Sequence, residues 1–194
     1  AWMRHGWRAP AADIPAEVNW WLPLGAHDIP AAADLGALTL PPAGEEAAWE
    51  RWESFRSSAL DDYAENRNRA DLAGTSALGH HLKWGEIHPR SLLVELTDSD
   101  EVFRKEICWR EFYAQVMAQR PDSARVSLNE RFDTQMRWDT GPAADDAFAN
   151  WAQGRTGYPF VDAGMRQLRT EGWVHNRVRM VVASFLVKDL HLPW

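Results

Sequence analysis

Apolar residues recur every three to four positions along most of this chain, and that spacing predicts helices. Over 45–68 the repeat runs through Trp49, Trp52, Phe55 or Arg56, Leu60 and Tyr63, which predicts one amphipathic helix. Pro89 suits the first turn of a helix reaching about Leu96. Asp98 with Glu101 resembles a capping box that opens a helix to about Gln119, where Pro121 stops it. Further helices are predicted at about 146–153, at 159–171 with Pro159 at the start, and at 174–190. Residues 71–88 carry Gly74, Gly79 and Gly85 and read as loop with short helical turns. Residues 122–145 read as irregular, and the Pro- and Ala-rich stretch 1–44 as an irregular arm or linker. No alternating apolar run exceeds four residues, so a sheet is not expected. The expected fold class is all-α, with one multi-helical domain over 45–194 and no internal repeat.

Two of these helices carry unusual polar stripes. In the last one, Trp173, Asn176, Arg177 and Met180 fall at i, i+3, i+4 and i+7, while Val174, Val178, Val181 and Phe185 form the expected core stripe. The first stripe combines an indole, an amide, a guanidinium and a thioether, a set that suits a planar, polar, anionic ligand. In FRKEICWREFY, Glu106, Trp109, Arg110 and Tyr113 share one face. Alone, that face reads as an ordinary amphipathic helix with a Glu106–Arg110 pair at i, i+4. Its pairing with a second aromatic-plus-arginine stripe predicts two helices walling one cavity.

Composition narrows the options. The chain has 194 residues, enough for a sizeable core, and a net charge of −7, which argues against non-specific nucleic-acid affinity as its main role. A local basic groove remains compatible with that total. No run of 18 apolar residues exists, so no membrane span is expected. The start AWMRHGWRAP lacks the apolar core of a secretory signal. The single cysteine, Cys108, excludes an internal disulfide and fits a reducing cytoplasm. Twelve tryptophans are many for this length. Trp49, Trp52, Trp84 and Trp151 read as packing anchors, and others are candidates for stacking on a ligand or carrying electrons.

The loop GTSALGHHLKWGEIHPR brings Thr75 and Ser76 together near Gly79, offering hydroxyls and bare N–H groups to a pyrophosphate. It is not a Walker A loop, since no Gly-Lys-Ser/Thr follows. His80 and His81 have no acidic or Cys partner at zinc-ligand spacing, so no metal is expected. No GxSxG or Cys/His arrangement points to covalent catalysis.

Three segments resemble the DNA photolyase/cryptochrome family: YAENRNRADLAGTSALGHHLKWGEIHPRSLL, CWREFY, and GRTGYPFVDAGMRQLRTEGWVHNRVRMVVASFLVKDL. The likeness covers residues 45–194 and is strongest to a cyclobutane pyrimidine dimer photolyase. It implies a helical domain that binds FAD and DNA, and light-driven repair in which reduced FAD passes an electron to a flipped-out dimer. By the same likeness, Tyr63, Thr75, Ser76, Ala77, Leu78 and Gly79 hold the FAD phosphates, with Arg177 also at the cofactor. Arg67 contacts a DNA phosphate. Glu106 and Asn176 meet the lesion's polar edge and take catalytic roles, with Arg110, Tyr113 and Arg177 on the DNA side. Trp109 and Met180 form apolar walls, and Trp138 and Trp194 belong to a photoreduction chain. Glu106 is expected in a partly apolar pocket beside Trp109, as a protonated donor.

The family's loop commonly reads TSxLSPxL with Arg after Ser, where this chain has Ala77, Gly79 and His80. The resemblance also implies an N-terminal α/β antenna domain and a closing segment after Trp194. The chain is thus expected to be a fragment, inactive alone, of a monomeric cytoplasmic protein whose antenna chromophore these residues do not reveal. The alternatives are a cryptochrome-type blue-light photoreceptor without repair, and a Trp-rich helical interaction module without cofactor. Glu106, Trp109, Asn176 and Met180 together favour dimer repair. A (6-4) photolyase is expected to carry His on the 176–180 stripe.

Overall fold

A computed structural model describes Trp2, residues 8–10 and residues 34–194. The expectation of an irregular arm over 1–44 therefore falls largely outside the described residues; residues 34–44 carry no regular element, with a turn at 36–37. Every regular element among the described residues is helical. The order is α1 (Glu45–Ser58), α2 (Tyr63–Asn66), α3 (Gly79–Trp84), α4 (Pro89–Leu93), a 3-10 turn (Asp98–Asp100), α5 (Glu101–Gln119), a second 3-10 turn (Pro121–Ala124), α6 (Arg131–Thr134), α7 (Pro142–Ala152), α8 (Pro159–Glu171) and α9 (Asn176–Lys188).

The predicted helix over 45–68 is two helices. Ser57 Oγ bonds the Glu53 carbonyl at 2.8 Å and Ser58 Oγ the Ser54 carbonyl at 2.6 Å. Such side chains compete with the backbone ladder and end α1. After a four-residue turn, α2 restarts the helix so that Tyr63 is buried beside Leu60. The capping box before α5 is formed by Thr97 and Asp100, one residue before the expected pair. The stretch 122–145 is less irregular than expected, because Pro142, at the first helical position, starts α7 early.

Two principal cores result. In the first, Trp52 stacks on Phe103 at 5.8 Å, and Tyr63 meets Phe55 and Phe103 edge-on at 5.7 and 5.2 Å. Burying aromatics in these geometries adds about 0.5–1.5 kcal/mol per pair beyond area burial. The Trp52 indole donates to Glu95 at 2.6 Å, so its buried N–H is satisfied. In the second, α8 and α9 pack through Val161, Met165, Val178, Val182 and Phe185. Gly164 makes this approach possible, since a Cβ there would run into Val178. The core stripe of α9 passes through Val182, which is buried, and not Val181, which is exposed. His175 caps α9, so Val174 and Trp173 precede the helix, yet Val174, Val178 and Phe185 of the expected stripe are all buried. Trp84 is 74% exposed and anchors nothing, whereas Trp151 donates its indole N–H to the Val182 carbonyl and joins α7 to α9.

Candidate functional site

The loop 75–78 is built by its neighbours. Gly74 lies so close to Asn66 that a Cβ would sit 2.9 Å from the Asn66 Cβ. From α1, Arg51 donates Nε–H to the Ser76 carbonyl at 2.7 Å and an Nη2 hydrogen to the Thr75 carbonyl at 2.9 Å. Ala77 adopts a left-handed φ of 52°, and Ser76 Oγ accepts from the Leu78 N–H at 3.4 Å. Below the loop, the buried His81 bonds Glu86 through Nδ1 at 2.5 Å. That bond holds the Glu86 carboxyl below the usual carboxylate range. The His80 ring lies tilted against His81 at a centroid distance of 3.8 Å, and burial lowers its basicity.

A cavity of about 780 Å³ opens beside this loop, lined by Tyr63, residues 75–79, Trp173, Asn176 and Arg179 among others. Burial pushes the Tyr63 phenol up in pKa, with the Arg67 charge opposing, so the wall it presents is a neutral hydroxyl. Asn176 occupies the first turn of α9. His175 Nδ1 accepts the Arg177 N–H at 3.1 Å, which leaves the proton of the neutral ring on Nε2. Burial keeps that ring neutral by lowering its pKa. Gly79 has open space where a Cβ would stand.

The expected stripe on α9 divides. Trp173 and Asn176 line the cavity, joined by Arg179, which the sequence reading missed even though it follows Asn176 at i+3. Arg177, expected at the cofactor, lines a different face: its Nε donates to Asn68 Oδ1 at 2.7 Å and its Nη1 to Met180 Sδ at 3.4 Å.

The expected Glu106–Arg110 pair does not form. Glu106 Oε1 binds Arg67 Nη1 at 2.6 Å, with side chains 36% and 21% exposed. Arg110 instead donates to the Leu82 carbonyl at 3.0 Å. Glu106 thus faces a guanidinium, which suits a carboxylate acceptor, and not the apolar pocket expected for a protonated donor. The two striped helices also do not wall one cavity directly. Segment 63–68 wedges between them, tied to α5 by Arg67–Glu106 and to α9 by Asn68–Arg177. Further along α5, Trp109, Phe112 and Tyr113 form an exposed aromatic cluster with centroids 5.3 to 6.2 Å apart.

Trp138 and Trp194 are not in the lining of the cavity of about 780 Å³. A backbone bond from the Asp139 N–H to the His191 carbonyl at 3.0 Å brings their segments together. Trp138 is half-buried and Trp194 is 68% exposed. Among the described residues, no group of three or more metal-ligating side chains gathers.

Residues 103–194 match the model of the FAD binding domain of DNA photolyase. A deoxyribodipyrimidine photo-lyase of Alkalihalophilus pseudofirmus is 39% identical over 157 residues, 78% of this chain and 32% of that protein. Residues 103–194 belong to the FAD-binding domain family of DNA photolyase. A bacterial class III photolyase from Agrobacterium tumefaciens superposes with a TM-score of 0.72 at 39% identity, covering 78% of this chain and 32% of that one. A cryptochrome of Synechocystis follows with a TM-score of 0.62 at 30% identity, covering 78% and 33%. The chain spans about a third of the length of the photolyase relatives it matches. Its likeness to them lies in the helical fold of the photolyase FAD-binding domain.

Proposed function

We propose that residues 45–194 form the FAD- and lesion-binding part of a deoxyribodipyrimidine photo-lyase acting on pyrimidine dimers in DNA. The observation that carries this reading is the cavity uniting Tyr63, the 75–79 loop and Asn176, set beside the Arg67–Glu106 pair. Its volume, about 780 Å³, is in the range of ligand pockets, ~300–1,000 Å³. The cavity also fits FAD chemically. Thr75 and Ser76 bring hydroxyls, and the N–H groups of Ser76 and Ala77 find no acceptor among the described residues. Such a loop suits a pyrophosphate.

When bound and reduced, FAD supplies the light-driven electron that splits the two bonds joining a pyrimidine dimer. The chain's own residues bind, orient and exclude water. Tyr63, Thr75, Ser76, Leu78 and Gly79 hold the phosphates and their linker, and Asn176 offers its amide to the polar edge of the ring system. The Glu106 carboxylate accepts from a pyrimidine N3–H, while Arg67 beside it donates to a carbonyl or a backbone phosphate. That division of labour replaces the protonated Glu106 donor. The exposed aromatics Trp109 and Tyr113 offer faces on which extruded bases stack, worth roughly 1–3 kcal/mol per base. Arg177 and Met180 border the same side. Trp138 and Trp194 serve cofactor photoreduction. The partner is damaged DNA, bound by a monomer in the cytoplasm, where reducing conditions sustain a reduced flavin.

The test uses the full-length protein, purified with its flavin and illuminated with blue light in the presence of a dimer-containing oligonucleotide. Dimer loss that requires both light and reduced flavin supports a photolyase. Flavin photoreduction with no dimer loss identifies a cryptochrome-type receptor instead.

A further inference from the structure

Two cavities flank the 75–77 loop. The one described above, of about 780 Å³, is lined by Ser76 and Tyr63; the other, of about 770 Å³, is lined by Arg51. Thr75 and Ala77 belong to both linings, with Leu40, Pro41, His80 and Trp173, so the loop forms part of the partition the two share. Arg51 reaches this partition from behind and binds two successive carbonyls, those of Thr75 and Ser76, with one planar guanidinium.

Peptide planarity converts these two bonds into a statement about the other face. In a trans peptide the C=O and the following N–H point in opposite directions. Drawing the Thr75 and Ser76 carbonyls toward Arg51 therefore turns the N–H groups of Ser76 and Ala77 away from it, toward the Tyr63 side. Both N–H groups lack an acceptor among the described residues. The left-handed Ala77 belongs to the backbone form in which successive N–H groups converge on an anion. The two peptide dipoles then run from the guanidinium at their negative ends to the cavity at their positive ends.

We infer that Arg51 is a positioning residue for pyrophosphate binding: it fixes the 75–77 peptides from the second cavity so that their N–H groups present a pre-formed anion site to the first. The inference rests on the flavin reading above. Arg51 acts through the loop and not on the flavin ring, so its effect follows the phosphates of the ligand. An arginine is required because its fork spans two carbonyls, whereas a lysine delivers one point charge.

The experiment compares the full-length wild-type protein with Arg51→Ala and Arg51→Lys, titrating FAD and riboflavin by flavin fluorescence. Circular dichroism melts accompany each variant to show that it folds. Arg51→Ala should weaken FAD binding by about ten- to hundred-fold, the scale expected for losing two charge-assisted bonds that pre-organise a site. Riboflavin, which carries no phosphate, should bind within about twofold of wild type, and Arg51→Lys should recover little of the FAD affinity. Unchanged FAD affinity in Arg51→Ala, equal weakening of both flavins, or full recovery by lysine would overturn the inference. Wild-type protein that takes up no FAD would overturn the flavin reading itself, and this inference with it.

Discussion

Removing either partner of the Arg67–Glu106 pair should destabilise the fold measurably, and removing both should cost less than the sum. The Nη1–Oε1 distance is 2.6 Å. Coulomb's law at that separation gives roughly 1.6 kcal/mol in bulk water and roughly 6 kcal/mol at an effective dielectric of about 20. Desolvation and side-chain entropy remove much of this. With exposures of 21% and 36%, the pair lies between surface bridges, worth about 0.2–1 kcal/mol, and buried ones, where loss of a partner costs about 3–5 kcal/mol. A coupling of about 1–2 kcal/mol follows. Arg67 also covers the Tyr63 ring at 5.4 Å, so Arg67→Ala should be the more damaging single change. For a chain of this size each kcal/mol moves Tm by about 2–4 °C, so the single variants should melt roughly 3–8 °C below wild type. The assay is a double-mutant cycle on Glu106→Ala, Arg67→Ala and the double variant, from thermal or urea unfolding followed by circular dichroism. Single effects that add to within about 0.3 kcal/mol would refute the argument and reduce the pair to an incidental surface contact.

Three further outcomes follow from packing, titration and electron relay. Gly164→Ala places a methyl against Val178 at the α8–α9 crossing and should cost about 1–3 kcal/mol of unfolding free energy, read from denaturant melts; a neutral effect would mean that the helices separate freely there. Asp162 is buried and accepts the Thr156 N–H and hydroxyl and the Gly157 N–H, so the Thr156 hydroxyl and these amides hold its carboxyl below the usual range. A depressed folded-state pKa contributes stability above the unfolded value of about 3.9, lost as pH falls through the folded value. Asp162→Asn should therefore lower Tm by a constant amount from pH 5 to 8, with a gap that closes below about pH 4; a gap that persists in acid would contradict the titration argument. Trp194→Phe in the full-length protein should block photoreduction of oxidised flavin and leave repair by pre-reduced enzyme nearly intact, and equal loss of both would make Trp194 a packing residue.

Local signals in the sequence were legible where chemistry and chain neighbourhood coincide. Pro159 at the first helical position, with Gly172 in the left-handed conformation just past the end, bounds α8 over the expected residues. The Thr-Ser loop is contiguous, so its residues reach one cavity together. What escaped depends on partners distant in the chain. Glu106 has a same-helix candidate in Arg110, but the first core places α2 against α5, and Arg67 takes the carboxylate instead. Arg177 meets Asn68, 109 residues away, a pairing no helical period announces. On α9 one core position falls elsewhere than expected: Val182, at i+4 from Val178, is buried, and Val181, at i+3, is exposed. The predicted length of α1 overran because Ser57 and Ser58 look neutral in a periodicity count but bond the preceding turn.

The decisive measurement is recovery of absorbance at about 260 nm in an oligonucleotide bearing one thymine dimer, since splitting restores two conjugated ring double bonds. The full-length protein, loaded with FAD and reduced, is mixed with the oligonucleotide and held in blue light or in darkness. Recovery should appear in light alone, scale with bound FAD, and fall sharply in Glu106→Ala at equal FAD content. A wild-type protein that holds FAD yet restores no absorbance in light, or a Glu106→Ala variant that sheds its flavin and still binds the dimer normally, would contradict the assignment of this domain to dimer repair through Glu106.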